Sequence, residues 1–381
     1  MPVNGLKYVT IEEKEVPMKE NTITGSARRS GKKRIRWIDL ARAFGILTVV
    51  LCHCVHEIYR LQLTYMSSLH RTGRLFGFAA FTAGRLGVPL FLMISGYLLL
   101  NRSYTADRCR HFFRHNFLRL LACTEIWFLF YHIFLSVTNL QDFSLRDMLL
   151  EMLFIKNGSI GHMWYMPVIL GVYLLLPAAA NALHSLELSS LRIPYIIVMA
   201  YAFASPVLVV LAQTAGWPPL SRKFELGFSG GIYGLYLVTG WLIRRGLLKK
   251  TETPVLCFTA LCGFVLTVGL QYYAYRNLVE YNVWYDCGLL MICAVCLFEL
   301  FSRIRRVPLY TGIRFLSGHA FGIYLIHYLF ILILAPVIRP LSVMLPVRVF
   351  LLWLAVLLLS CLLSLLISRI PRCGRFLLYM K

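Results

Sequence analysis

The feature that most constrains this chain is a series of apolar runs, several of them about 20 residues long. That is the length a helix needs to cross about 30 Å of hydrocarbon. The runs are apolar all round, so a surface helix of a soluble domain does not explain them. Composition agrees: of 381 residues, 59% are apolar and 15% charged. Soluble domains carry about 25% charged residues. The expected fold is all-α, a polytopic membrane bundle of about ten transmembrane helices. The expected spans are 37–59, 75–100, 112–138, 162–183, 193–213, 228–248, 254–275, 284–302, 314–335 and 347–370. Residues 145–155 are expected to form a short interfacial helix. No repeat of 20–50 residues is visible.

A formal charge of +22 would ordinarily point to nucleic acid. Here the Lys and Arg residues alternate from loop to loop instead. With the N-terminus in the cytoplasm, inner segments hold 26 of them and outer loops 10. By the positive-inside rule both termini are expected to be cytoplasmic. The expected site is a cell (inner or plasma) membrane, with lipid as a partner and no nucleic acid. Residues 1–36 are expected to be a flexible basic tail that touches anionic lipid. They carry no apolar core of a cleavable signal, so the first span is expected to be an uncleaved anchor. The membrane domain is expected over 37–370, with a short basic C-terminus over 371–381. Most of the eleven cysteines lie in apolar runs and read as packing residues. Cys293 and Cys296 have no second pair nearby, so no metal site and no disulfide framework is expected.

Three Arg residues lie inside spans, at 42, 85 and 119. An ionisable group in a span is a functional candidate by default. The first span is the richest, with Asp39, Arg42, His53, His56 and Glu57. Asp39 and Arg42 are three apart and can pair on one helix face, as a boundary clamp or as part of a site. His53 lies about 16 Å further along at 1.5 Å per residue. Glu57 is four residues beyond it, a spacing that lets a carboxylate orient an imidazole acting as general base. His56 reads equally as an interfacial residue. Arg85 interrupts the second span and suits an anionic group or a carboxylate. Pro89, Ser95 and Gly96 follow it and permit close helix approach. Arg119 suits a phosphate entering from inside, and Glu125, deeper in the same span, is expected to pair internally. His162, Trp164 and Tyr165 open the fourth span, where an aromatic belt is the alternative. Tyr324 and His327 lie in the ninth span, where His327 alone also reads as a satisfied interior residue.

Taken in order, these stretches resemble the acyltransferase-3 family of membrane acyltransferases. The resemblance rests on Arg36-Trp37-Ile38-Asp39-Leu40-Ala41-Arg42 followed by His53, and on Val88-Pro89-Leu90-Phe91 through Ser95-Gly96-Tyr97. It rests also on His162-Met163-Trp164-Tyr165 with Tyr173 and Pro177, and on Ser317 with Phe321-Gly322-Ile323-Tyr324-Leu325-Ile326-His327. Details around Arg85 and His162 look most like the enterobacterial-common-antigen O-acetyltransferase group. Many members carry Arg-x-x-Arg at the third span; here Asn116 stands in place of the first Arg, and Arg119 is retained.

The resemblance implies a membrane O-acyltransferase. It would take an acyl group, most often acetyl, from cytoplasmic acetyl-CoA or another acyl-CoA, with no bound cofactor. The acceptor would be a hydroxyl of a cell-surface or lipid-linked glycan. His53 would be the base, with Glu57 its orienter. Asp39, Arg42, Arg85, Arg119, His162, Trp164, Tyr165, Tyr324 and His327 would contact donor or acceptor, with Arg85 or His162 stabilising the oxyanion. A polysaccharide transporter or flippase is one alternative, although no matched broken helices are evident. A non-catalytic membrane sensor of the same fold is the other.

Overall fold

Each apolar run satisfies its own backbone hydrogen bonds by coiling, which a chain surrounded by lipid requires. The computed structural model describes residues 34–156, 158–217, 231–371 and 373–380. Most of the basic tail expected at 1–36 lies outside the described residues. Among the described residues the chain is helical, without strands.

Among the described residues, eight helical stretches are long and apolar enough to cross a membrane. They are α1 (Arg36–Tyr59), α3 with α4 (Arg71–Arg85 and Gly87–Leu99), α5 with α6 (Ala106–Phe112 and Leu118–Val137), α8 (Tyr165–Ser185), α9 (Leu188–Thr214), α11 (Thr253–Arg276), α13 (Tyr310–Ile338) and α14 (Leu345–Ser368). Shorter helices are α2 (Leu63–Ser67), α7 (Leu145–Met152) and α15 (Gly374–Leu377). The helix expected at 145–155 is α7. Two further helices, α10 (Ile232–Arg244) and α12 (Gly288–Arg303), lie where the sixth and eighth spans were expected. Their described lengths of 13 and 16 residues fall short of a full crossing.

The shortness of α12 has a local cause. Residues 277–287, which precede it, fold inward as a loop whose Val283, Tyr285 and Cys287 are buried. The Tyr236 hydroxyl donates to the Tyr285 carbonyl at 2.8 Å, and Asn282 Nδ2 donates to the Leu61 carbonyl at 3.2 Å. These bonds replace helical ones, so residues 284–287 are not part of a span.

α1 is the central post. It packs against α3, α4, α12, α13 and α14. α14 shows the opposite pattern. Leu352, Val356, Ser360 and Ser364 are buried along one stripe, while Leu354, Leu358, Leu362 and Leu366 are exposed along the other. An exposed leucine stripe on a helix this apolar faces lipid. α4 and α10 cross at small residues. A methyl on Gly96 would overlap the Leu237 carbonyl, and one on Gly240 would overlap that of Met93. Their backbones touch where only glycine fits.

α1 and α13 run parallel and are pinned at both ends. Near their starts, Asp39 accepts hydrogen bonds from Ser317 Oγ at 2.7 Å and from the Tyr310 hydroxyl at 2.8 Å. Near their ends, Arg339 forms an ion pair with Glu57 and also donates to its backbone carbonyl at 3.3 Å. All eleven cysteines are free thiols, Cys293 and Cys296 buried in α12 among them.

Candidate functional site

Three histidines from three helical elements meet in the half of the bundle toward the end of α1. His53 comes from α1, His162 from a 3-10 turn at Gly161–Trp164, and His327 from α13. Ring centroids are 5.2 Å apart for His53 and His327, 5.0 Å for His162 and His327, and 6.4 Å for His53 and His162. His162 and His327 are buried. Tyr328 stacks on His162 at 5.1 Å and meets His53 edge-on at 5.5 Å. Among the described residues no group of His, Cys, Asp or Glu is arranged to hold a metal ion.

The hydrogen bonds of these rings are unevenly used. His327 Nδ1 lies 2.7 Å from the Tyr324 carbonyl and 3.2 Å from that of Ile323. Carbonyls only accept, so Nδ1 carries the proton and Nε2 carries the lone pair. That Nε2 is buried without a partner, as are both ring nitrogens of His162. Buried polar atoms are normally satisfied, and clusters of exceptions call for an explanation. Around them the frame is tightly bonded. The Tyr324 hydroxyl donates to the His162 carbonyl at 2.6 Å and the Tyr131 hydroxyl to the Leu325 carbonyl at 2.6 Å. The unpaired nitrogens therefore belong to a built site rather than to loose packing.

A second cluster holds the segment that carries His162. His132 Nε2 on α6 lies 2.9 Å from Glu151 Oε2 on α7, and Ser159 Oγ donates to Glu151 Oε1 at 2.6 Å. Gln141 Nε2 donates to Ser159 Oγ at 3.2 Å. His132 and Glu151 are both buried. Nothing in the sequence joins them, because they lie on different helices.

Arg85 sits at a break between α3 and α4. Pro89 in the first turn of α4 has no N–H to give the Arg85 carbonyl, so the helix steps at Leu86. Gly84 lets α3 approach the backbone of Cys52, the residue before His53. The Arg85 guanidinium lies over Trp284 at 4.2 Å, Phe81 at 4.5 Å and Tyr285 at 5.1 Å. Its Nη1 donates to the Tyr285 hydroxyl at 3.2 Å. Its Nε is buried without a partner, and no carboxylate of the described residues pairs with it. Trp164 joins the same aromatic group, 5.2 Å from Trp284 and stacked on Tyr285 at 5.5 Å. Tyr165 turns toward Tyr324 at 5.9 Å.

The expected pairing of His53 with Glu57 is not what the fold makes. The Glu57 carboxylate goes to Arg339, because a guanidinium attracts it more strongly than a neutral imidazole does. His53 instead faces His162, His327 and Tyr328. Glu125 was expected to pair internally; its Oε2 is buried without a hydrogen-bond partner. Asp39 and Arg42 do approach, at 3.9 Å. Arg119 lies beside a π-helical turn at Phe113–Phe117. Its Nη2 donates to the Arg375 carbonyl at 2.9 Å and to that of Met380. The C-terminal segment thus folds back on α6, where Trp127 Nε1 also donates to the Leu377 carbonyl at 2.9 Å. The Tyr379 hydroxyl donates to the Asn116 carbonyl at 3.2 Å.

Sequence reasoning singled out each of the three histidines but not Tyr328, Trp284, Tyr285 or the His132–Glu151 pair. An adjacent Trp and Tyr in a short loop was the available signal for the aromatic group. A family model described as an acyltransferase domain matches residues 35–369. No curated protein and no solved structure matches the chain.

Proposed function

The chain belongs to this acyltransferase family, and on that premise we propose that it moves an acyl group, acetyl first among candidates, from cytoplasmic acyl-CoA to a hydroxyl of a surface or lipid-linked glycan. The observation that carries the reading is the group of unpartnered imidazole nitrogens around His53, at the far end of α1 from Asp39 and Arg42. The proposed topology has ten crossings of the cell (inner) membrane and both termini in the cytoplasm. In that orientation Arg42, half-buried near the start of α1, meets the polyanionic donor, and the histidines meet the acceptor.

His53 acts as general base. It takes the proton of the acceptor hydroxyl as that oxygen attacks the thioester carbonyl. The C–S bond then breaks, and the thiolate leaves as CoA after taking a proton back from His53. Such a base is worth about 10²–10⁴ in rate. The lone pair on His327 Nε2 suits it to accept from a His53 N–H, the orienting role first expected of Glu57. An N–H of His162 is free for the oxyanion, because that ring has no other partner. Arg119 is already bonded to carbonyls and is left out of the donor contacts in this scheme.

Purified protein in lipid nanodiscs, given radiolabelled acetyl-CoA and surface glycan, tests the reading. Label is expected in the glycan with the native protein and not with His53→Ala. Full transfer by that variant would overturn the assignment of the base. No consumption of acetyl-CoA by the native protein would overturn the acetyl-transfer reading itself.

A further inference from the structure

Beside the aromatic group around Arg85 lies a cleft that no step of the proposed mechanism uses. It has a volume of about 130 Å³ and is bounded by the last turns of α9 and by the loop at 280–286. That is below the roughly 300–1,000 Å³ of pockets that enclose drug-sized ligands. It suits one ring or the end of a chain. The cleft opens at the end of the bundle where α1 finishes, since Asn282 in its wall donates to the carbonyl of Leu61.

Its polar lining is Gln213, Glu280, Tyr281, Asn282 and Asp286, and Trp284 supplies an aromatic wall. Side chains of this kind offer paired donors and acceptors at short range, the chemistry that reads vicinal hydroxyls. The Tyr281 hydroxyl is buried and has no hydrogen-bond partner. An aromatic face carries negative charge density and receives the weakly positive C–H groups of a pyranose. Trp284 is held for that purpose on its other contacts: Arg85 lies over its ring at 4.2 Å, with Trp164 at 5.2 Å and Tyr285 at 5.0 Å. A platform fixed before the ligand arrives loses little entropy on binding. Trp164 is two residues from His162, so the wall of the cleft is continuous with the aromatic group beside the histidines. The carboxyl groups of Glu280 and Asp286 repel an anionic ring and accept from hydroxyl or amino groups.

We infer that this cleft is a carbohydrate subsite, holding a neutral or amino-bearing pyranose of the acceptor, with Trp284 as the platform and Glu280 and Asp286 as the hydroxyl acceptors. The inference rests on the reading that the acceptor is a glycan.

The test measures binding apart from catalysis. Native protein in nanodiscs is titrated with a tritiated neutral glucose oligosaccharide and with an oligogalacturonate of the same length. Trp284→Ala, Glu280→Gln and Asp286→Asn are titrated alongside. Binding of the neutral oligosaccharide is expected, weakened about tenfold or more by Trp284→Ala and less by each carboxylate variant. Trp284→Phe is expected to keep most of the affinity, which guards against a folding defect. Absence of binding, equal binding by Trp284→Ala, or preference for the oligogalacturonate would overturn the inference. Consumption of radiolabelled acetyl-CoA by the native protein is followed in the same preparations. Sugar binding that follows these expectations in a protein that leaves acetyl-CoA intact would uphold the subsite and sink the acyl-transfer reading.

Discussion

The two ends of the α1–α13 pair differ in how completely their polar groups are used. At the Asp39 end the carboxylate receives Ser317, Tyr310 and, at longer range, Arg42. At the His53 end, His162 and His327 between them leave three ring nitrogens without a hydrogen bond. α1 and α13 run through both ends, and at the His53 end a 3-10 turn adds His162 within a well-bonded frame, so the contrast is not one of packing quality. A saturated cluster holds a fold together, whereas nitrogens left over in a well-bonded frame are available to a substrate. Substitution is therefore expected to cost stability at one end and rate at the other.

The largest effect is expected from His53→Asn, with acyl transfer falling about 10²–10⁴-fold. Its melting temperature in detergent is expected to match that of the native protein; a large drop would break the contrast. Asp39→Ala is expected to do the reverse. It leaves the Ser317 and Tyr310 hydroxyls without their acceptor, at a cost of about 3–5 kcal/mol, the range for breaking a buried charged cluster. Thermal unfolding monitored by circular dichroism would read the loss. Glu151→Gln lies between. Losing the charge paired with His132 loosens the segment carrying His162, and a misplacement of about 1 Å costs on the order of 10²-fold. Turnover should fall by about 10–100-fold while acetyl-CoA affinity stays unchanged, which separates positioning from donor binding. The smallest effect is expected from Glu57→Gln. Its pair with Arg339 is partly exposed and worth less than about 1 kcal/mol. Turnover should change by about twofold or less, and a collapse of activity would restore Glu57 as the orienter of His53.

Much of the architecture was legible because apolar length is a direct physical requirement of crossing lipid. The expected first span at 37–59 and the observed α1 at Arg36–Tyr59 differ by one residue. The eighth span was legible in place but not in length, because hydropathy does not register a loop whose carbonyl is taken by a distant tyrosine. The histidines were legible one at a time, since an ionisable group in a span stands out. Their meeting was not, because it depends on how a 3-10 turn and two helices are brought together. Glu57 shows the limit of local spacing. Four residues along a helix permit a contact with His53, but Arg339 from α13 competes for the same carboxylate. Arg119 was read as open to a ligand because one sequence position does not reveal that the far end of the chain folds over it.

The clamps at both ends of α1 and α13 also bear on motion. Two parallel helices tied firmly by the buried Asp39 cluster near their starts, and more weakly by Glu57 and Arg339 near their ends, resist sliding past each other, and sliding is the cheap way packed helices move. This pair therefore behaves as a stator. Travel that admits a bulky donor or a glycan is expected of the helices around it, among them α6 and α7, which the His132–Glu151 pair joins.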